Sequence, residues 1–188
     1  PIESITELPD SQKSFVAEQL IDLFFKEMFE FKLIQTDPNF ANFHYQLETQ
    51  KIVLFDFGAT REISNELSLA YLALFKAGSE NNREGVLKAA SHIGYFKNDL
   101  VDEYKNNVID LFLMACEPLR AEGEFDFKNS ELALKIKNAG LALSAQSQQW
   151  HTPPVDALFI HRKLAGLYLI AARLGVKIDV KTLFKHYL

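Results

Sequence analysis

One cysteine, Cys116, stands in the whole chain of 188 residues. No internal disulfide can form, and no zinc site built on paired cysteines is available. No apolar run approaches the ~20 residues that a membrane-spanning helix needs; the longest stretch, around 166–172, meets Arg173 at once. A formal net charge of −5 withholds the basic face on which nucleic-acid binding rests, so no nucleic-acid partner is expected. The eight glycines form neither Gly-x-Gly-x-x-Gly nor a Walker loop. The start, Pro1-Ile2-Glu3-Ser4, lacks an initiator methionine and the charged-then-apolar order of a signal peptide. The expectation is a chain that begins inside a longer protein.

What is present is a globular composition, 48% hydrophobic against 24% charged, which excludes a disordered chain. The length suits one domain over residues 1–188. Phe15, Val16, Leu20, Ile21, Phe24, Phe25, Met28 and Phe29 recur at three- and four-residue steps. That spacing predicts an amphipathic helix over 11–33, with Asp10 or Ser11 as N-cap. A turn-rich stretch, Thr36-Asp37-Pro38-Asn39, follows. Segments 42–46 and 51–57 then read as a small hairpin, the second being β-branched and aromatic at Ile52-Val53-Leu54-Phe55. Helical spacing returns over 65–79, 82–93, 99–117, 130–147, 154–175 and 179–188. Asn81 with Glu84 resembles a capping box, Asp99 and Asp179 read as N-caps, and Pro153-Pro154 marks a helix start. The fold class is mainly α with one small β-hairpin near the front.

Polar residues fit for chemistry gather at that hairpin. Asp37 and Asn42 lie on the loop leading into it, and Asp56-Phe57-Gly58 closes its second strand. In protein kinases an Asp and an Asn at this spacing supply the base that orients the acceptor and one metal ligand. The Asp of Asp-Phe-Gly supplies the other ligand. Magnesium is a hard ion that keeps several waters, so one carboxylate and one carboxamide oxygen suffice beside the phosphates. The competing bland reading is a capped turn at Asp37 and a strand end at Asp56, with Gly58 there for a positive φ.

Residues 35–43, Gln-Thr-Asp-Pro-Asn-Phe-Ala-Asn-Phe, and 54–61, Leu-Phe-Asp-Phe-Gly-Ala-Thr-Arg, closely resemble the UbiB family. This family is also called the aarF-domain-containing kinases, and the likeness is to its coenzyme Q (ubiquinone) branch. Residues 159–166, Phe-Ile-His-Arg-Lys-Leu-Ala-Gly, resemble that branch's tail helix less specifically. The resemblance implies the C-lobe of an atypical protein-kinase-like fold that binds ATP with magnesium or manganese and supports ubiquinone biosynthesis. By it Asp37 is the catalytic aspartate, Asn42 and Asp56 are metal ligands, and Gly58 gives the nucleotide-side turn after Asp56. Residues 1–61 then form the catalytic and metal-binding segment and 62–188 a helical remainder.

The family's Lys-x-Gly-Gln motif, alanine-rich nucleotide loop and phosphate-pairing lysine do not appear in this sequence, so the N-lobe is expected to be absent and the fragment inactive alone. Gln35-Thr36 replace the usual His-Arg pair, and no Ala-Pro-Glu follows Gly58, which argues against phosphorylation of proteins in trans. The implied partners are ATP, the N-lobe, and a membrane surface, quinone-precursor lipid or ubiquinone-biosynthesis proteins. The implied places are the matrix side of the mitochondrial inner membrane or the bacterial cytoplasm beside its membrane. Two rivals remain at this point: a small-molecule kinase of the aminoglycoside-phosphotransferase type, which shares the Asp–Asn spacing, and a helical scaffold with a non-catalytic nucleotide site.

Several stretches imitate chemistry. His161-Arg162-Lys163 lies inside an apolar helix and reads as structural, and Asp126-Phe127 lacks the glycine and reads as a loop. The five histidines show no ligand spacing, and Trp150-His151 reads as a packed loop. The Phe- and Leu-rich helices read as core, against the alternative that one face docks a membrane, lipid or partner.

Overall fold

The three-and-four spacing of apolar residues folds as predicted into a run of helices that bury one stripe each. A computed structural model describes residues 2–37, 40–56, 58–96, 102–145 and 154–188. Helix α1 (Asp10–Lys26) buries Val16, Ala17, Leu20, Ile21, Phe24 and Phe25. Its N-cap is Pro9, and Asp10 lies in the first turn, where a carboxylate meets the positive end of the helix. The last turn widens into a π-helical segment, Glu27–Phe31, and stops at Lys32, which is left-handed at φ 52°. The Ser68 hydroxyl donates to the Met28 carbonyl of that wide turn at 2.8 Å.

Strand β1 (Leu33–Gln35) follows, then the hairpin of β2 (Phe43–Gln46) and β3 (Lys51–Leu54), paired Phe43 to Leu54 and Gln46 to Lys51. Strand β4 (Thr60–Glu62) returns antiparallel to β1, with Gln35 opposite Thr60 and Leu33 opposite Glu62. The hairpin is the expected one, three residues shorter at its end. The β1–β4 pair is not visible in the sequence, because three residues are too few to establish a two-residue period.

The remainder is helical. Ser64 caps α2 (Asn65–Ser79) by accepting from the Leu67 N–H. Asn82 caps α3 (Arg83–Ile93) by accepting from the Gly85 N–H at 2.9 Å, while Asn81, the expected cap, sits just before it at φ 55°. The predicted helix over 99–117 is α4 (Asp102–Ala115), broken at Cys116 before the short α5 (Glu117–Arg120), whose Pro118 has no N–H to continue the ladder. Asp99 lies outside the described residues, as do Trp150, His151 and Pro153. A two-residue strand β5 (Phe125–Asp126) occupies the stretch read as a loop and pairs with β6 (Lys177–Ile178). Helix α6 (Leu132–Ala145) precedes α7 (Val155–Leu174), which starts at Pro154 and stops at Gly175 in the left-handed conformation that glycine adopts without penalty. Asp179 caps α8 (Val180–Lys185) as expected, accepting from the Thr182 N–H at 2.9 Å.

Packing explains why the front helix is so rich in phenylalanine. Phe24, Phe25 and Phe29 meet Phe75 of α2 and Phe184 and Tyr187 at the C-terminal end, with ring centroids 5.5–6.4 Å apart. Tilted and edge-on pairs of this kind add to simple burial. α7 packs across α1 from the other side. Among the described residues no helix is long and apolar enough to cross a membrane.

Candidate metal-binding site

Two loops join the two strand pairs. The first, 36–42, runs from β1 to β2, and the second, 55–59, runs from β3 to β4. Since β1 pairs with β4 and β2 with β3, both ends of both loops are held in register, and the described residues at those ends lie side by side. Hydrogen bonds stitch them together. The Thr36 N–H and hydroxyl both donate to the Ala59 carbonyl at 2.7 Å, and the Phe55 N–H donates to the Asn42 carbonyl at 3.0 Å.

Each expected site residue sits on this paired platform. The Asn42 carboxamide nitrogen donates to Asp37 Oδ2 at 2.8 Å, which leaves its carboxamide oxygen as the atom to face a cation. Asp37 and Asn42 are half-buried and Asp56 is exposed. Asp56 Oδ1 accepts from the Gly58 N–H at 2.7 Å. Gly58 is not at positive φ. A Cβ there would stand 3.1 Å from Asp56 Oδ1, so the glycine keeps space for the carboxylate rather than for a turn of unusual hand. Phe57 lies outside the described residues.

The donor set is one carboxylate and one carboxamide, all oxygen, with a second carboxylate bonded to the carboxamide. Hard oxygen donors fit magnesium or manganese and not zinc. Among the described residues no three His, Cys, Asp or Glu side chains form a cage. With so few protein donors, a magnesium ion here would complete its shell with ligands from outside the protein, as magnesium commonly does. The lone thiol is no rival nucleophile: burial pushes Cys116 up to about 12, so at neutral pH it stays protonated.

Glu27, which sequence reasoning passed over, braces the platform together with Lys163 and Arg61. Glu27 and Lys163 form an ion pair with only 4% and 5% of their surfaces exposed. The Glu27 carboxylate also accepts from the backbone N–H of Gln35, two residues before Asp37. Burial raises the Glu27 carboxyl and lowers the Lys163 ammonium, each opposed by the partner's charge. Beside the pair, Lys163 Nζ stands 6.0 Å from the ring of Phe43, the residue after Asn42. Arg61, the last residue of the second motif, bonds Asp156 at 2.7 Å and covers the Phe159 ring at 5.1 Å, tying β4 to the first turn of α7. The signal for the buried pair was in the sequence: Glu27 and Lys163 both occupy apolar phases of their helices, next to Phe24 and Met28 and to Ile160 and Leu164.

His161-Arg162-Lys163 is structural, as expected. His161 bonds Tyr71 and Tyr95, Arg162 is exposed, and Lys163 makes the buried pair. Asp126 caps its own turn by accepting from Asn129.

Comparison with known proteins places the chain in a family. Residues 1–90 match the family model of the ABC1 atypical kinase-like domain. Atypical kinase COQ8B, mitochondrial, of Rattus norvegicus is 31% identical over 98% of this chain and 35% of its own length. Atypical kinase COQ8, mitochondrial, of Saccharomyces cerevisiae is 34% identical over 92% of this chain and 34% of its own. The chain thus spans about a third of the length of these relatives. Among solved structures, Rv3197 of Mycobacterium tuberculosis, determined as a complex with erythromycin, superposes with a TM-score of 0.73 over all of this chain and 46% of its own, at 17% identity. That likeness speaks for the fold, which is the C-lobe of a kinase-like protein. By its motifs, its fold and its relatives, the chain belongs to the ABC1 atypical kinase-like family, the family of UbiB and the aarF-domain-containing kinases.

Proposed function

We propose that this chain is the metal-binding half of an ATP site in an atypical kinase-like ATPase that supports ubiquinone biosynthesis. The observation that carries the reading is the bonded Asp37–Asn42 pair on one loop, set beside Asp56–Gly58 on the loop stitched to it. The family and its mitochondrial relatives support it. In this reading Asn42 and Asp56 hold magnesium or manganese. Held by these two oxygen donors, such a cation would supply positive charge beside the phosphates of ATP and offset the negative charge of phosphoryl transfer. Asp37 orients the attacking water or hydroxyl and accepts its proton, while Asn42 keeps that carboxylate aimed. The O–P bond forms at the γ-phosphorus as the bridging oxygen leaves with ADP. The rest of the pocket, including the lysine that pairs phosphates, belongs to an N-lobe outside residues 1–188, so the C-lobe alone is inactive. The protein works beside a membrane, in the mitochondrial matrix or the bacterial cytoplasm.

The test is nucleotide affinity of the intact protein across a magnesium titration. Asp56→Asn is expected to weaken magnesium-dependent binding roughly tenfold or more, ~1.4 kcal/mol. Asp37→Asn should keep binding and lose turnover. Unchanged affinity for Asp56→Asn at every magnesium concentration removes Asp56 from the site.

A further inference from the structure

Thr36 brings two protons to one acceptor. Its N–H and its hydroxyl both donate to the Ala59 carbonyl, each at 2.7 Å, and the two lone pairs of that oxygen suffice for both. The Thr36 residue is only 8% exposed, so water competes poorly for these bonds. The backbone half of the clasp prolongs the β1–β4 ladder by one step beyond Gln35 and Thr60. Any residue except proline would supply it at position 36. The hydroxyl half comes from the side chain alone.

The neighbours of the two clasped residues are the residues of the candidate site. Ala59 follows Gly58, whose N–H donates to Asp56 Oδ1 at 2.7 Å. Thr36 precedes Asp37, whose Oδ2 accepts from the Asn42 carboxamide at 2.8 Å. A path of short bonds therefore runs from the Asp56 carboxylate through Gly58, Ala59 and Thr36 to Asp37. A second clasp bypasses Thr36: the Phe55 N–H, next to Asp56, donates to the Asn42 carbonyl at 3.0 Å. The second clasp thus joins the two metal-ligand candidates, and the first joins Asp37 to the Asp56 segment.

We propose that Thr36 is a positioning residue, whose hydroxyl sets the place of Asp37 relative to a cation held by Asn42 and Asp56. It acts through Ala59 and not on substrate. The inference rests on the proposed function, in which Asp37 orients the attacking water or hydroxyl.

Two substitutions in the intact protein test it. Thr36→Val keeps the β-branched shape and the N–H but removes the hydroxyl, while Thr36→Ser keeps the hydroxyl. Both should fold, because the Ala59 carbonyl retains the N–H of residue 36 as a donor and no buried group is stranded. Thr36→Val is expected to lower kcat for ATP hydrolysis by about tenfold or more, since a misplacement on the order of 1 Å is enough for such a loss. Magnesium-dependent nucleotide affinity should stay at its natural value, because the second clasp is untouched. Thr36→Ser should restore kcat. Hydrogen exchange at the amide of residue 36, measured without nucleotide, should be roughly fivefold faster in Thr36→Val, the worth of one net hydrogen bond. Should Thr36→Val not fold, Thr36→Ala, which leaves the same N–H, takes its place. Equal kcat with and without the hydroxyl, a parallel loss of nucleotide affinity, or unchanged exchange at residue 36 overturns the inference and leaves the proposed function standing. Absence of magnesium-dependent turnover in the natural intact protein overturns both.

Discussion

Lys163 and Glu27 are two charges that water does not reach, and each tolerates burial because the other is there. Removing one leaves the other uncompensated, so Lys163→Met should cost about 3–5 kcal/mol. Replacing both, Glu27→Leu with Lys163→Met, should recover most of that loss, because an apolar pair of similar volume often matches a buried ion pair. Chemical denaturation of the three proteins checks the order. His161 makes the second prediction at this scale. Its folded pKa of about 4 lies below the ordinary 6.5, so between these values the unfolded chain binds the proton and the native one does not. Stability therefore rises with pH across that window and falls as pH drops from 6.5 toward 4, by ~1.4 kcal/mol per unit at most. Thermal unfolding from pH 7 to pH 4 should lose this part of its slope in His161→Gln. An unchanged slope would mean that other groups carry the acid sensitivity.

At the level of elements, helix contacts are as tight as the short residues allow. A Cβ at Gly78 of α2 would meet Cys116 Sγ at 2.4 Å, and Cys116 is fully enclosed between α4 and α5. Gly78→Ala improves helix propensity by up to ~1 kcal/mol but overpacks this contact, which costs ~1–3 kcal/mol. The expected net is destabilisation, relieved when Cys116→Ala is added, as a double-mutant cycle in urea would read. Long periodic helices were the legible elements: α1, α2, α3 and α7 lie within two residues of their predicted limits once the π-helical turn is counted with α1. The short elements were not legible. β1, β4 and β5 have three residues or fewer, and they form because a partner strand is brought alongside, which no local pattern records. Caps were read at Asp179 and missed at Asn82, where two adjacent asparagines compete and only the backbone conformation decides.

Across the whole molecule, the candidate site was legible as motifs but not as a place. Asp37, Asn42, Asp56 and Gly58 could be picked from the sequence by spacing. That the ends of their loops lie side by side depends on the β1–β4 pair and on Thr36 bonding Ala59, neither of which the sequence announces. The support beneath, Glu27 with Lys163, joins residues 136 apart in the chain, a distance at which pattern gives no register. In the proposed function this platform holds a divalent cation for a nucleotide whose other contacts lie outside residues 1–188. The direct measurement is the thermal unfolding of residues 1–188 and of the intact protein with Mg-ADP, each with and without a chelator. A ligand at a hundred times its dissociation constant stabilises a folded binder by about 2.7 kcal/mol. That shift is expected in the intact protein, lost on chelation and lost in Asp56→Asn, and absent from residues 1–188 alone. No shift in the intact, folded protein, or the same shift with the metal removed, would contradict it.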